Sequence, residues 1–222
     1  MAVELYFAPG ACSFVPHVAL EVVKAATGRD FTPKLVKLQK GEHLTDEYKE
    51  LNPDAQVPVV VADGKPLTQI MAICDWIDRT NPEANLLPAD PWARAQAMSQ
   101  LAWMNNTAHP AFTHVFMPQK FAESEESRAD VKAKAVIQFG KHLKRIEAWV
   151  AEAAPWLTGA NLSFHDAYAF TLLRWGGYAG IDPAGYPALL AHVQHVMAAA
   201  PVAVVLERER VKLDTYRPAP AA

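Results

Sequence analysis

The sequence predicts two structural units in series, a small α/β unit followed by an all-helical one. Three observations lead to this. Within residues 1–80, runs rich in β-branched and aromatic residues alternate with helical apolar stripes. The stretch that follows carries Pro82, Pro88 and Pro91 among few periodic apolar positions, the composition of a linker. Beyond it the apolar residues recur with helical spacing and little β-branched clustering. The division is therefore expected at 1–81 for the first unit, 82–91 for the linker and 92–222 for the helical unit. With 222 residues, 51% of them hydrophobic, the chain has ample material for a core.

Val3-Glu4-Leu5-Tyr6-Phe7 reads as the first strand, and Pro9-Gly10 as a turn. Ala19, Leu20, Val22 and Val23 then give a helix over about 14–27 its apolar stripe. A strand at about 32–37 and a helix at about 43–51 follow. The run 57–62 is a strand, and Asp63-Gly64 is a hairpin signal joining it to a short antiparallel strand at about 65–67, whose Pro66 places it at a sheet edge. A helix at about 69–79 closes the unit. In the second unit helices are expected at about 92–117, 127–153, 163–178, 187–199 and 201–210, with residues 217–222 frayed or extended. Ser163-Phe164-His165-Asp166 has the pattern of a capping box with Asp in the usual Glu position, worth about 1 kcal/mol to the helix start, and His165 is assigned to the surface or to packing.

A formal net charge of -3 supplies no basic field for nucleic acid or an anionic lipid surface. No apolar run approaches the ~20 residues that span a bilayer, and the N-terminus lacks a leader pattern, so a soluble cytoplasmic protein is expected, without nucleic-acid or membrane partners. The two cysteines, Cys12 and Cys74, stand far apart without metal-like spacing, which supports neither a disulfide framework nor a metal site. Cys74 lies in an apolar helical pattern and is assigned to packing. His192 and His195 are spaced to share a helix face, but they lack a third ligand.

Cys12 is the residue to which chemistry is assigned. It falls with Ser13 at the junction between the first strand and the first helix, where unpaired N–H groups and the helix dipole favour an anion. Such a setting is expected to lower a thiol pKa from about 8.5 toward about 7, which would make roughly half of it thiolate at neutral pH. The competing reading is a small buried hydrophobe. His17, one turn further on, is a second candidate neighbour for the thiol.

Five motifs in register along the chain give a more specific reading. They are Tyr6-x-x-Pro9-Gly10-Ala11-Cys12-Ser13, Asn52-Pro53-x-x-Gln56-Val57-Pro58, Leu67-Thr68-Gln69, Asn106-Thr107-x-His109-Pro110-Ala111-Phe112 and Leu157-Thr158-Gly159-x-x-Leu162-Ser163-x-x-Asp166. Together they resemble the cytosolic glutathione transferases, and the first closely resembles the bacterial beta class. The resemblance implies a thioredoxin-like N-terminal domain, an all-α C-terminal domain, glutathione as co-substrate, an apolar pocket for a small electrophile between the domains, and a homodimer with each site near the subunit interface.

It also implies roles for particular residues. Val57-Pro58 matches the position where a cis-proline exposes a backbone edge to the cysteinyl part of glutathione. Gln69 stands where the γ-glutamyl end is recognised, and Ile70 replaces the small or hydroxyl residue often found next, leaving its backbone N–H as the donor at a helix start. His109 matches a histidine that approaches the glutathione sulfur, and its ordinary pKa of about 6.5 suits proton exchange. Pro110 breaks the helical pattern beside it. Asn106, one turn before His109, could bind the γ-glutamyl group or orient the imidazole. Trp103 and Phe112 could line the second-substrate pocket, or simply pack. Two reactions remain open: attack of a glutathione thiolate, ionised beside Cys12, Ser13 and His109, on an electrophile, and thiol–disulfide exchange through Cys12. The alternative from another class is a non-catalytic relative that binds apolar ligands or a partner, suggested by the polar handles lost at Ile70 and Pro110.

Overall fold

A computed structural model describes residues 2–153 and 155–217. Four strands form one sheet in the order β2-β1-β3-β4, where β1 is Val3–Phe7, β2 Thr32–Leu35, β3 Val59–Ala62 and β4 Lys65–Thr68. β1 runs parallel to β2 and antiparallel to β3, with Leu5 opposite Val60. Alternation along β1 and β3 decides which face each side chain joins. Leu5, Phe7 and Val60 point toward α1 (Phe14–Thr27) and α3 (Ile70–Thr80) and are continuous with the main core. Val59 and Val61 point the other way, where Val36 and Tyr48 of α2 (Asp46–Leu51) cover them.

The hairpin forms as its sequence predicts. Asp63 and Gly64 both take positive φ, 46° and 80°, as the tight turn with matching twist requires. Pro66 lies on β4, an edge strand, where its missing N–H interrupts no further ladder. β3 begins at Val59 rather than at 57, because Pro58 has no N–H to offer the ladder. The helix expected at 43–51 divides into a 3-10 turn, Glu42–Leu44, and α2, which Thr45 caps by accepting from the Tyr48 N–H at 3.3 Å.

The helical part consists of α4 (Pro91–Trp103), α5 (His109–Phe116), α6 (Glu125–Glu152), α7 (Phe164–Tyr178), α8 (Pro187–Ala198) and α9 (Ala200–Glu209). The single helix expected at 92–117 is interrupted: Met104–Ala108 forms a π turn, and the His109 N–H reaches back five residues to the Met104 carbonyl. Pro110 explains the interruption, since it has no N–H for an ordinary helical bond and its ring crowds the preceding turn. α7 starts with the expected capping box, and Asp166 also accepts from the Leu157 N–H at 2.9 Å. Its helix is buried on nearly every side, including His165, whose Nε2–H donates to the Ala97 carbonyl at 2.7 Å. Of the tail expected at 217–222, residues 218–222 lie outside the described ones. Among the described residues no single helix is long and apolar enough to cross a membrane. α8 and α9 reach that threshold only as a pair, bent by 87°.

Candidate active site

The loop between β1 and α1 carries Cys12. Gly10 shapes it, with φ of +68°, the conformation that calls for glycine, and the Arg174 guanidinium packs where a Cβ would lie, 2.6 Å from Nη1. The loop is held from the far end of the chain. The Gly10 N–H donates to Glu209 Oε2 at 2.9 Å, and Trp175 Nε1–H donates to the Gly10 carbonyl at 2.9 Å. Ser13 is fully buried, its Oγ donating to the Ala8 carbonyl at 3.2 Å and accepting from the Ala8 N–H at 3.1 Å. Its hydroxyl, expected to act in catalysis, donates and accepts within the loop itself.

Cys12 itself is half-buried, and its Sγ donates to the Val57 carbonyl at 3.6 Å. The next peptide bond, Val57–Pro58, is cis. The expected low thiol pKa is overturned: burial pushes the Cys12 thiol up to about 12, although the backbone N–H groups of Cys12 and Ser13 pull it down. Desolvation of the charged form outweighs the helix start, and the unliganded residue is a neutral thiol. Cys74, the other free cysteine, is fully buried in the core.

His17 does not serve the thiol. It is buried between Glu209, 2.7 Å from Nδ1, and Arg208, whose Nη1 lies 2.9 Å from Nε2. Because a guanidinium can only donate, Nε2 accepts and Nδ1–H donates to Glu209, which makes the ring a strut between α1 and α9.

Gln69 precedes α3 with its side chain exposed and with φ 70° and ψ 118°, an unusual conformation for a residue other than glycine. Its side chain makes no cap bond, so the first N–H groups of α3 are left without a side-chain acceptor. Ile70 turns its side chain into the core and contributes only its backbone to this helix start.

His109 opens α5 and is partly buried. Its Nδ1 lies 2.9 Å from the Tyr168 hydroxyl, which donates to Asn105 Oδ1 at 3.1 Å. Asn105 Nδ2–H donates in turn to Oδ1 of the exposed Asn106 at 2.8 Å. Burial lowers the His109 pKa to about 4, so its imidazole is neutral at pH 7. Tyr168 is fully buried, and that burial raises its phenol pKa well above the ordinary value, so it keeps its proton.

Aromatic rings extend from this histidine. Trp175 packs edgewise on His109 at 4.8 Å, Phe112 stacks on Trp175 at 4.7 Å, and the exposed Phe116 stacks on Phe112 at 5.8 Å. Trp103 is not part of that series. Its ring meets Trp149 at 5.0 Å and His142 at 5.2 Å, with the Arg145 guanidinium 4.5 Å above it, and all three come from α6. The pair expected to line one pocket is thus divided. A cavity of about 230 Å³ between α7 and residues 213–216 includes neither Cys12 nor His109. His192 is engaged by Asp166 at 2.9 Å and His195 stacks on Trp156, and among the described residues no group of three His, Cys, Asp or Glu side chains is placed to hold a metal.

Sequence reasoning missed Tyr168, Asn105, Trp175 and Glu209. Tyr168 had no local signal, standing in the apolar run Ala167-Tyr168-Ala169-Phe170, and Glu209 reaches Gly10 across 199 positions.

The architecture is thus a thioredoxin-like sheet with a cysteine beside a cis-proline, joined to an all-helical part that carries a histidine. Residues 1–79 match the glutathione S-transferase N-terminal domain and residues 104–200 the C-terminal domain. Glutathione S-transferase GstA of Escherichia coli O157:H7 is 30% identical over 212 residues, covering 94% of this chain and 100% of that protein. A glutathione transferase homolog from Sulfitobacter, solved with bound glutathione, superposes with a TM-score of 0.86 at 27% identity, covering 95% of this chain and 99% of the other. A sphingomonad glutathione S-transferase complexed with glutathione gives 0.79 at 31% identity, over 94% and 100%. The chain belongs to the glutathione S-transferase family.

Proposed function

We propose that the protein conjugates glutathione, through its thiolate, to small apolar electrophiles. The observation that carries this reading is the pairing of a thiol with a cis-proline edge: Cys12 Sγ donates to the Val57 carbonyl at 3.6 Å beside the cis Val57–Pro58 bond, and the helical part supplies His109, held by Tyr168 at 2.9 Å. The Val57-Pro58 edge offers backbone groups to the cysteinyl part of glutathione, a recognition that does not depend on side chains. Gln69, the free N–H groups at Ile70 and the exposed Asn106 receive the γ-glutamyl end, where a helix start favours its carboxylate.

The glutathione S–H donates to His109 Nε2, which takes the proton only as the C–S bond forms, and Cys12 turns its own S–H to the charge developing on the sulfur. The sulfur's electron pair forms a new C–S bond as the leaving group departs with the electrons of the bond that breaks, and the imidazolium proton passes to the leaving group or to solvent. Phe112 and Phe116 offer an aromatic wall to the electrophile. Exchange through Cys12 is the less favoured route, because burial pushes its thiol pKa up and keeps the sulfur protonated. Family membership also supports a homodimer, which sedimentation tests, and the two free cysteines suit a reducing cytoplasm.

The discriminating assay follows conjugation of a chromogenic electrophile and reduction of a glutathione mixed disulfide, for the wild type and for Cys12→Ala. Conjugation that survives in the variant supports the reading. An inactive wild type in both assays, with retained binding of an apolar dye, establishes the non-catalytic alternative.

A further inference from the structure

We infer that Tyr168 and Asn105 are positioning residues that hold His109 as the Nδ1–H tautomer, so that Nε2 presents a lone pair to the substrate sulfur. The inference rests on the conjugation reading and assigns the part of the machinery that gives the imidazole its direction. Hydrogen-bond polarity carries it. Asn105 has one carbonyl oxygen and one NH₂ group, and the NH₂ end is turned to Asn106, donating one N–H to its Oδ1 at 2.8 Å. The Asn105 oxygen therefore faces Tyr168, and at 3.1 Å it takes the only proton that the hydroxyl can donate. What remains on the Tyr168 oxygen is a lone pair, 2.9 Å from His109 Nδ1. That nitrogen must supply the proton, and in a neutral imidazole the other nitrogen is then an acceptor. The direction runs without a break from the exposed Asn106 to the buried imidazole.

The fold builds this arrangement deliberately. The π turn Met104–Ala108 carries both asparagines into α5, and α7 supplies Tyr168 from 59 positions away. Tyr168 is fully buried, so no water replaces its hydroxyl when the bond to His109 is lost. The opposite direction, with Nε2 protonated and Nδ1 accepting, would require both asparagine amides to be turned over together. A protonated Nε2 could steady a thiolate already formed, but it could not accept the proton that forms it.

Nitrogen NMR of the full-length protein with ring-labelled histidine reads the tautomer directly, with His109→Gln providing the assignment. The wild type is expected to show Nδ1 protonated and Nε2 bare at neutral pH. Tyr168→Phe, which keeps the ring and the packing, should shift His109 toward the Nε2–H form and lower kcat/KM about tenfold, the equivalent of one buried hydrogen bond, with the glutathione KM unchanged. Asn105→Asp keeps an acceptor for Tyr168 and should retain the tautomer, whereas Asn105→Leu should lose it. These two variants supply the comparison if Tyr168→Phe folds poorly. A wild-type His109 protonated on Nε2, or an unchanged tautomer in both Tyr168→Phe and Asn105→Leu, overturns the assignment. A wild type with the Nδ1–H tautomer but no conjugation leaves the assignment standing and removes the conjugation reading instead.

Discussion

Cys12 and His109 come from opposite halves of the molecule and reach the same electrical condition by opposite shifts. Burial pushes the thiol up to about 12 and the imidazole down to about 4, so both are neutral at pH 7. They differ in what holds them. The sulfur is surrounded by backbone, the Val57 carbonyl and the N–H groups of its own loop. The imidazole is held by side chains, Tyr168 and behind it two asparagines. Backbone can position a donor but adapts little to a change of charge, whereas a histidine with a directed partner can take and return a proton. The contrast assigns hydrogen-bond donation to Cys12 and proton transfer to His109.

Removing His109 should have the largest effect. His109→Gln is expected to lower kcat/KM for conjugation about 10²–10³-fold, the range of general base catalysis, with the fold preserved. A loss under tenfold would bring the two residues to equal rank. Next is acid stability. The native imidazole resists protonation that the unfolded chain accepts at its ordinary pKa of about 6.5. Stability contributed by the neutral ring is complete above that value and falls as the pH drops from about 6.5 to about 4, by about 3 kcal/mol at most. Urea unfolding across that window should show the loss in the wild type and a shallower one in His109→Gln.

Cys12→Ala should cost only about tenfold in kcat/KM, since a hydrogen-bond donor and not a nucleophile is removed. Loss of all conjugation would place covalent chemistry at the sulfur. The smallest effect is expected at Trp175→Phe, which keeps the stack on Phe112 but gives up the bond to the Gly10 carbonyl. About 1 kcal/mol is at stake, or roughly 2–4 °C in Tm by calorimetry.

Local signals explain which features could be read from the sequence. β1, the Asp63-Gly64 turn and the Ser163–Asp166 capping box each depend on residues within a few positions of one another, and each forms as expected. Cys12 was located by the same means, but its ionisation was not, because a helix start is visible in sequence while the desolvation that outweighs it comes from the packed chain. Pro110 announced a break without saying how the chain would absorb it. The π turn depends on where α5 must place His109 against α7. Spacing alone groups Trp103 with Phe112, and the interruption between them directs the Trp103 ring to α6. Tyr168, Trp175 and Glu209 act across 59, 165 and 199 positions, a range in which one sequence carries no pairing information.

The transfer of the glutathione proton to His109 is tested most directly by the ultraviolet absorbance of the bound thiolate, titrated against pH in the wild type and in His109→Gln. Because a neutral imidazole offers the sulfur only an acceptor, the wild-type complex should keep the bound thiol protonated to a higher pH than His109→Gln does. Superimposable titrations, with thiolate formed equally well without the imidazole, would contradict the account.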